Sequence, residues 1–411
     1  MEDIEFAALA KDDPDFAKVL KENNKIDFWD PLAVQQLTKS VLRRDFKLEI
    51  NLPGDRLCPP VPNRFAYIKW LQKLIDSTGD SYRDAYEESR EVIGIDIGVG
   101  ASCIYPLLGC ASRPNWRFGG TEIDARNLEF AQKNVRTNGL ESRIRILPAK
   151  EGQPLISLAQ LGTDHADFVM CNPPFFTSLE DMDATYETKT KPPSAVCTGA
   201  AVEMITDGGD LGFALQIFAL SQSLKTKIQW YSCLLGKLQS AKDLVARLKE
   251  SEITNFAAHC LQTGGRTKRW LVAWSYDDLR PEDSIARGDG LSKELLPPST
   301  SAQILVRDMP ASNLGDAVNQ IFADLPLRWI WKASNLKGLA LATENVWSRS
   351  YRRKMKFQGD STSKSDEDRP VALAVLVLVH SNQVTVRWMR GEDHVLYESF
   401  CGMLRRSLLA K

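Results

Sequence analysis

The stretch Asp167-Phe168-Val169-Met170-Cys171-Asn172-Pro173-Pro174-Phe175-Phe176 constrains the fold more than any other segment. Its first half is an apolar run without glycine or proline, the pattern of a strand buried on both faces. Its second half cannot extend a ladder, because proline has no N–H to donate. The spacing predicts a strand that stops at Asn172 and a rigid turn carrying an aromatic beyond it. In open parallel α/β sheets the carboxyl ends of strands form the edge where ligands bind.

Strand and helix patterns alternate around this stretch. Strands are expected at 92–97, 116–123, 144–147, 165–171 and 228–235, with helices at 103–111, 124–138, 211–225 and 241–250 between or after them. Strands at 253–260 and 270–276, joined through 263–269, read as a closing hairpin. Residues 177–209, rich in Thr, Lys, Pro, Asp and Gly, read as a long loop behind the turn. The expected organisation is a helical cap over 1–90, its residues 76–91 a polar loop, then an α/β core over 91–278. A charged linker over 279–300 and a smaller α+β domain over 301–411 complete it. That domain should hold strands at 302–306, 328–333, 338–347, 371–380 and 383–389, and helices at 313–325 and at the end.

At 411 residues, 43% hydrophobic and 26% charged, the chain has ample apolar material for such cores. Its net charge of −1 announces no polyanion partner, so any nucleic-acid site must come from local clusters of bases. The eight cysteines lack Cys-x-x-Cys spacing and read as reduced thiols without zinc, and the four histidines show no metal spacing. The first residues, Met1-Glu-Asp-Ile-Glu-Phe6, are not a signal peptide, and the longest apolar run, 371–379, is too short to span a membrane.

The turn suits one chemistry. A planar, conjugated amine is a weak nucleophile because its lone pair is delocalised. If the side-chain oxygen of Asn172 and the carbonyl of Pro173 each accept a hydrogen bond from one NH₂ group, they aim the lone pair at an electrophile and stabilise the charge developing on nitrogen. Pro174 stiffens the turn, and Phe175 can stack on the ring carrying the amine. A core phenylalanine behind a proline-stiffened loop is the structural alternative. Asp96-Ile-Gly98-Val-Gly100-Ala-Ser102 after the first strand brings backbone close to a ligand, and Glu122 at the end of the second can accept from ribose hydroxyls. Lacking the third glycine of a dinucleotide fingerprint, the set fits S-adenosylmethionine, which has ribose and adenine but no phosphate. The expected fold is a Rossmann-like class I methyltransferase with a helical amino-terminal cap and a smaller C-terminal α+β domain.

The segments 96–108, 171–176, Thr198-Gly199 with Glu203-Met204, 230–233, 235–237 and 265–270 together resemble the methyltransferase-like protein 16 family over about 5–278. The resemblance implies methylation of adenine N6 in U6 small nuclear RNA, with a related bacterial branch acting on 23S ribosomal RNA, and a nuclear location, the cytoplasm being the alternative. Carried over, Asn172, Pro173, Pro174 and Phe175 are the catalytic quartet. Arg64, Gly98, Ser102 and Glu122 contact the methyl donor, joined by Asp96, Gly100 and Asn172 of the motifs already described. Arg266 and Arg269, with Lys268 between them, match bases that touch RNA. The chain departs from the human-type pattern in its acidic start, Glu2, Asp3 and Glu5, and in a longer loop at 150–154.

A second basic cluster, Arg349, Arg352, Arg353, Lys354 and Lys356 beside Trp347, suits phosphate and base contacts, or else a solvated loop or nuclear import signal. The expected partner is structured RNA, U6 foremost, with no membrane and no metal. Two other readings remain open at this point: a different acceptor (a ribosomal adenine, guanine N2 or a glutamine amide), and an RNA-binding splicing cofactor.

Overall fold

The structure, a computed structural model, describes residues 5–187, 199–262, 268–351, 353 and 369–410. It divides into two compact units. The first holds the chain up to Gln72, Glu87–Asp277 and Gly288–Leu296; the second holds Lys73–Tyr86, Asp278–Arg287 and Pro297 onward.

In the first unit, helices α1 (Phe6–Asp12), α2 (Pro14–Ala17), α3 (Pro31–Phe46) and α4 (Val61–Asp76) precede the sheet. Asp30 and Asp13 cap α3 and α2 through their carboxylates, each with proline at the first helical position, as capping chemistry favours. The sheet strands are β1 (Val92–Ile97), β2 (Trp116–Glu122), β3 (Ile144–Pro148), β4 (Ala166–Cys171), β5 (Ile228–Leu235), β6 (Phe256–Leu261) and β7 (Arg269–Trp274). Helices α5 (Ile104–Ser112), α6 (Ala125–Thr137), α7 (Leu158–Leu161), α8 (Leu179–Glu187), α9 (Ala201–Met204), α10 (Gly209–Leu224) and α11 (Leu238–Glu250) intervene. The order β3-β2-β1-β4-β5-β7-β6 is a doubly wound sheet, parallel up to β5, with β7 antiparallel to both its neighbours. Trp230 and Trp274 are fully buried in it, each such side chain contributing on the order of 1.5–3 kcal/mol through its removal from water.

The stretch 177–209, expected as a loop, contains α8 and α9. Ser178 starts α8, its hydroxyl accepting from the Asp181 N–H at 3.1 Å. The hairpin pairing of β6 with β7 is present, with Leu261 opposite Arg269; residues 263–267 between them lie outside the described residues.

In the second unit, β8 (Ser301–Leu305), β9 (Arg328–Lys332), β10 (Lys337–Ala342), β11 (Leu373–His380) and β12 (Gln383–Arg390) form an antiparallel sheet of order β8-β12-β11-β10-β9. A short α12 (Asp283–Ala286) precedes the sheet, and helices α13 (Ala311–Ala323) and α14 (His394–Leu409) cover one face of it. The strand expected over 338–347 ends at Ala342, after which Val346 and Trp347 turn into the core. Two polar stretches are built into structure. The carboxylate of Asp283 takes hydrogen bonds from Ser299 Oγ at 2.6 Å and Thr300 N at 2.7 Å, while Leu295 is buried in the core of the first unit. Within residues 76–91, Asp84 accepts from Arg387 and Asp80 and Tyr82 accept from Arg390, so the segment up to Tyr86 is tied to β12.

The cysteines among the described residues are all free thiols, those residues hold no cluster of metal-ligating side chains, and no helix among them is long and apolar enough to cross a membrane.

Candidate active site

Three strand ends meet at one edge. In the parallel registers Ile97 lies opposite both Thr121 and Cys171, so β1, β2 and β4 finish level with one another. The next residues are Gly98, Glu122 and Asn172. Here the strand order reverses, β2 on one side of β1 and β4 on the other, and a crevice at such a point receives ligands.

Gly98 and Gly100 hold φ of 75° and 63°, where L side chains are strained. A Cβ at either would meet no atom within 4 Å, so the turn faces open space. Glu122 braces it from below: one carboxylate oxygen accepts from Gly100 N at 2.8 Å, the other from Asp124 N at 2.9 Å. Burial pushes the Glu122 carboxyl above its ordinary range, opposed by these backbone N–H groups. Asp96 is fully buried beneath the turn, and neither of its carboxyl oxygens meets a donor among the described residues. Burial, then the charge of Glu122, push its carboxyl well up.

A cavity of about 550 Å³ opens at this edge, within the range of roughly 300–1,000 Å³ typical of small-molecule sites. Arg64, Gly98, Gly100, Ser102, Glu122, Asn172, Pro173 and Pro174, eight of the residues singled out in the sequence, line it together; Asp96, Phe175 and Arg269 do not. Arg64, nearly buried in α4, donates to the Tyr105 hydroxyl on α5 at 3.2 Å. Burial pushes Tyr105 up to about 12, against the pull of Arg64, so the phenol stays neutral.

The turn after β4 presents a side-chain acceptor. The side-chain oxygen of Asn172 is buried and meets no donor among the described residues. Next to it, the Phe175 ring has Gly236 against it: a Cβ on Gly236 would lie 3.0 Å from Phe175 Cδ1. Any side chain there obliges the ring or the Asp210 carboxylate to give way by a few tenths of an ångström. Asp210 fixes that backbone, its carboxylate accepting from Gly236 N at 2.6 Å, Lys237 N at 3.3 Å and Ser240 Oγ at 2.8 Å. The Arg269 guanidinium sits over the Phe175 ring, 4.9 Å from its centroid, in cation–π contact.

Lys268 is exposed just before β7, and Arg266 lies outside the described residues. Arg349 and Arg353 are exposed in the second unit, with 349–351 helical where a loop was expected; Arg352, Lys354 and Lys356 lie outside the described residues. Sequence reading gave no role to Tyr105, Asp210, Glu203 or Gly236. Tyr105, Glu203 and Gly236 carried a signal as members of quoted motifs; Asp210 carried none.

A doubly wound sheet of this order, with a glycine turn, an acidic strand end and an Asn-Pro-Pro-Phe turn on one edge, is the layout of a Rossmann-like methyltransferase. The chain belongs to the RNA methyltransferase family whose model matches residues 1–278. The U6 small nuclear RNA (adenine-(43)-N(6))-methyltransferase of Schizosaccharomyces pombe (strain 972 / ATCC 24843) is 38% identical over 390 residues, 94% of this chain and 96% of that protein. Among solved structures, the hMettl16 catalytic domain in complex with MAT2A 3′UTR hairpin 6 matches at 37% identity and a TM-score of 0.59, covering 67% of this chain and 94% of that one. The N-terminal domain of human METTL16 in complex with SAH matches at 34% identity and a TM-score of 0.55, covering 67% of this chain and 96% of that one.

Proposed function

We propose that this chain methylates adenine N6 in a structured RNA, U6 small nuclear RNA foremost, with S-adenosylmethionine as donor. The observation that carries the reading is the buried oxygen of Asn172, without a donor among the described residues, on a residue that lines the same cavity as the glycine turn and Glu122. The cradle fits the donor: glycines without Cβ atoms face open space, Glu122 offers an acceptor to a ribose hydroxyl, and the Arg64 cation can meet the carboxylate. The donor, when bound, supplies an electrophilic methyl group.

The acceptor side is built by this chain's own atoms. The oxygen of Asn172 and the carbonyl of Pro173 accept hydrogen bonds from the two N6–H groups, turning the lone pair out of conjugation and stabilising the positive charge that grows on nitrogen. Pro174 stiffens the turn. Phe175 stacks on the adenine, and a base on the ring face that Arg269 covers first displaces the guanidinium toward RNA phosphate, alongside Lys268 and Arg266. Arg349, Arg352, Arg353, Lys354 and Lys356 supply further phosphate contacts from the second unit. The U6 relatives imply a nuclear role, and we place the chain in the nucleus.

Asn172→Ala tests the reading. Single-turnover methylation should fall by ~10²-fold or more, as for loss of one preorganised transition-state interaction, while calorimetry finds S-adenosylhomocysteine binding largely retained. Wild-type turnover in the variant would remove Asn172 from the chemistry.

A further inference from the structure

Glu203 lines the donor cavity and holds three chain segments at once. One carboxylate oxygen accepts from Leu57 N at 2.9 Å, in the extended segment between α3 and α4, and from Ala200 N at 3.0 Å in its own turn. The other accepts from Asn127 Nδ2 on α6 at 3.4 Å, and Asn127 is itself held by Arg56 at 2.8 Å. The segment anchored in this way continues into the acceptor turn. Phe176 N donates to Met204 O at 3.0 Å and Thr206 N donates to Phe176 O at 3.0 Å, so the residues just after Glu203 form a parallel bridge to the residue just after Phe175. Val202, Glu203, Thr206 and Asp207 also form one wall of the cavity.

Residues 200–206 are thus a wall of one site and a backbone partner of the other. We propose that Glu203 is a positioning residue that couples the two, so that filling the donor cavity orders this wall and sets the Asn172–Phe175 turn to receive the target base. The inference rests on the donor and acceptor assignments above. Nothing about Glu203 touches the reacting atoms; it acts through Met204, Thr206 and Phe176. Two sites that share an ordered element are linked, and linkage is reciprocal: donor occupancy raises RNA affinity by the factor that RNA raises donor affinity.

The test compares wild type, Glu203→Gln and Glu203→Met in the full chain, measuring hairpin affinity with and without saturating S-adenosylhomocysteine. The hairpin carries the U6 target adenosine. Wild type should bind the hairpin roughly 5-fold or more tightly when the nucleoside is present. Glutamine keeps an oxygen for Leu57 and Ala200 and should keep most of that factor. Methionine, of similar length but without an acceptor, should lose it and melt at a lower temperature, because Leu57 N and Ala200 N lose their acceptor, while its affinity for RNA alone stays near wild type. Equal coupling in all three proteins, equal loss in both variants, no coupling in wild type, or a methionine variant that does not fold would each overturn the proposal. A wild-type chain that binds no S-adenosylhomocysteine and methylates no RNA would instead sink the functional reading itself.

Discussion

At Glu122 two effects oppose each other: burial raises the carboxyl, and the N–H groups of Asp124, Gly100 and Ile123 lower it, burial being the larger. The sign of the pH dependence follows. With its folded pKa above the unfolded value, the carboxyl takes up a proton in the folded chain first; its charge costs stability at neutral pH, and that cost is relieved as pH falls through the folded value. Donor binding runs the other way, since the carboxylate is the stronger acceptor for a ribose hydroxyl. S-adenosylhomocysteine affinity should therefore weaken on acidification, beginning above the ordinary glutamate range. Glu122→Gln should flatten that profile and weaken binding at neutral pH by about 1.5–3 kcal/mol, read by calorimetry. Unchanged affinity and an unchanged profile would place the ribose elsewhere.

The turn from β5 into α11 is an element whose role is backbone position. Gly236→Ala puts a Cβ 3.0 Å from Phe175 Cδ1 and 3.3 Å from Asp210 Oδ2, so the ring or the Asp210 bonds must yield by a few tenths of an ångström. We expect roughly a tenfold or greater loss in kcat/KM for RNA, given how steeply rates fall with misplacement, with donor affinity intact. Wild-type kinetics would mean that the ring position tolerates the shift. This element also marks where the sequence stops being legible. β4 and its turn, and the glycine turn after β1, are local patterns that can be read off directly. Asp210 cannot: its partners lie 26 to 30 residues further on, and an aspartate near a helix start reads as a cap. The polar stretches at 80–84 and 279–300 are opaque for a related reason, since composition does not say whether a carboxylate is solvated or, like Asp283 and Asp84, taken up by a distant hydroxyl or arginine. At α8, Ser178 and Asp181 at capping spacing are the available signal in a run that otherwise looks like loop.

For the whole molecule, the net charge of −1 leaves RNA affinity to local bases. Replacing Arg349, Arg352, Arg353, Lys354 and Lys356 with alanine should weaken hairpin binding and lower the slope of log affinity against log salt by about one for each phosphate no longer neutralised. The single-turnover rate at saturating RNA should hold, because these bases add affinity and contribute no group to the acceptor turn. Normal binding across the salt titration would assign the cluster another role, and normal binding with failed nuclear uptake would make it an import signal. The central claim is tested most directly by incubating the whole chain with labelled S-adenosylmethionine and a U6 hairpin, digesting the RNA and identifying the labelled nucleoside. N6-methyladenosine is the expected product, lost when the target adenosine is replaced. Label in a guanosine, in protein, or nowhere would contradict it.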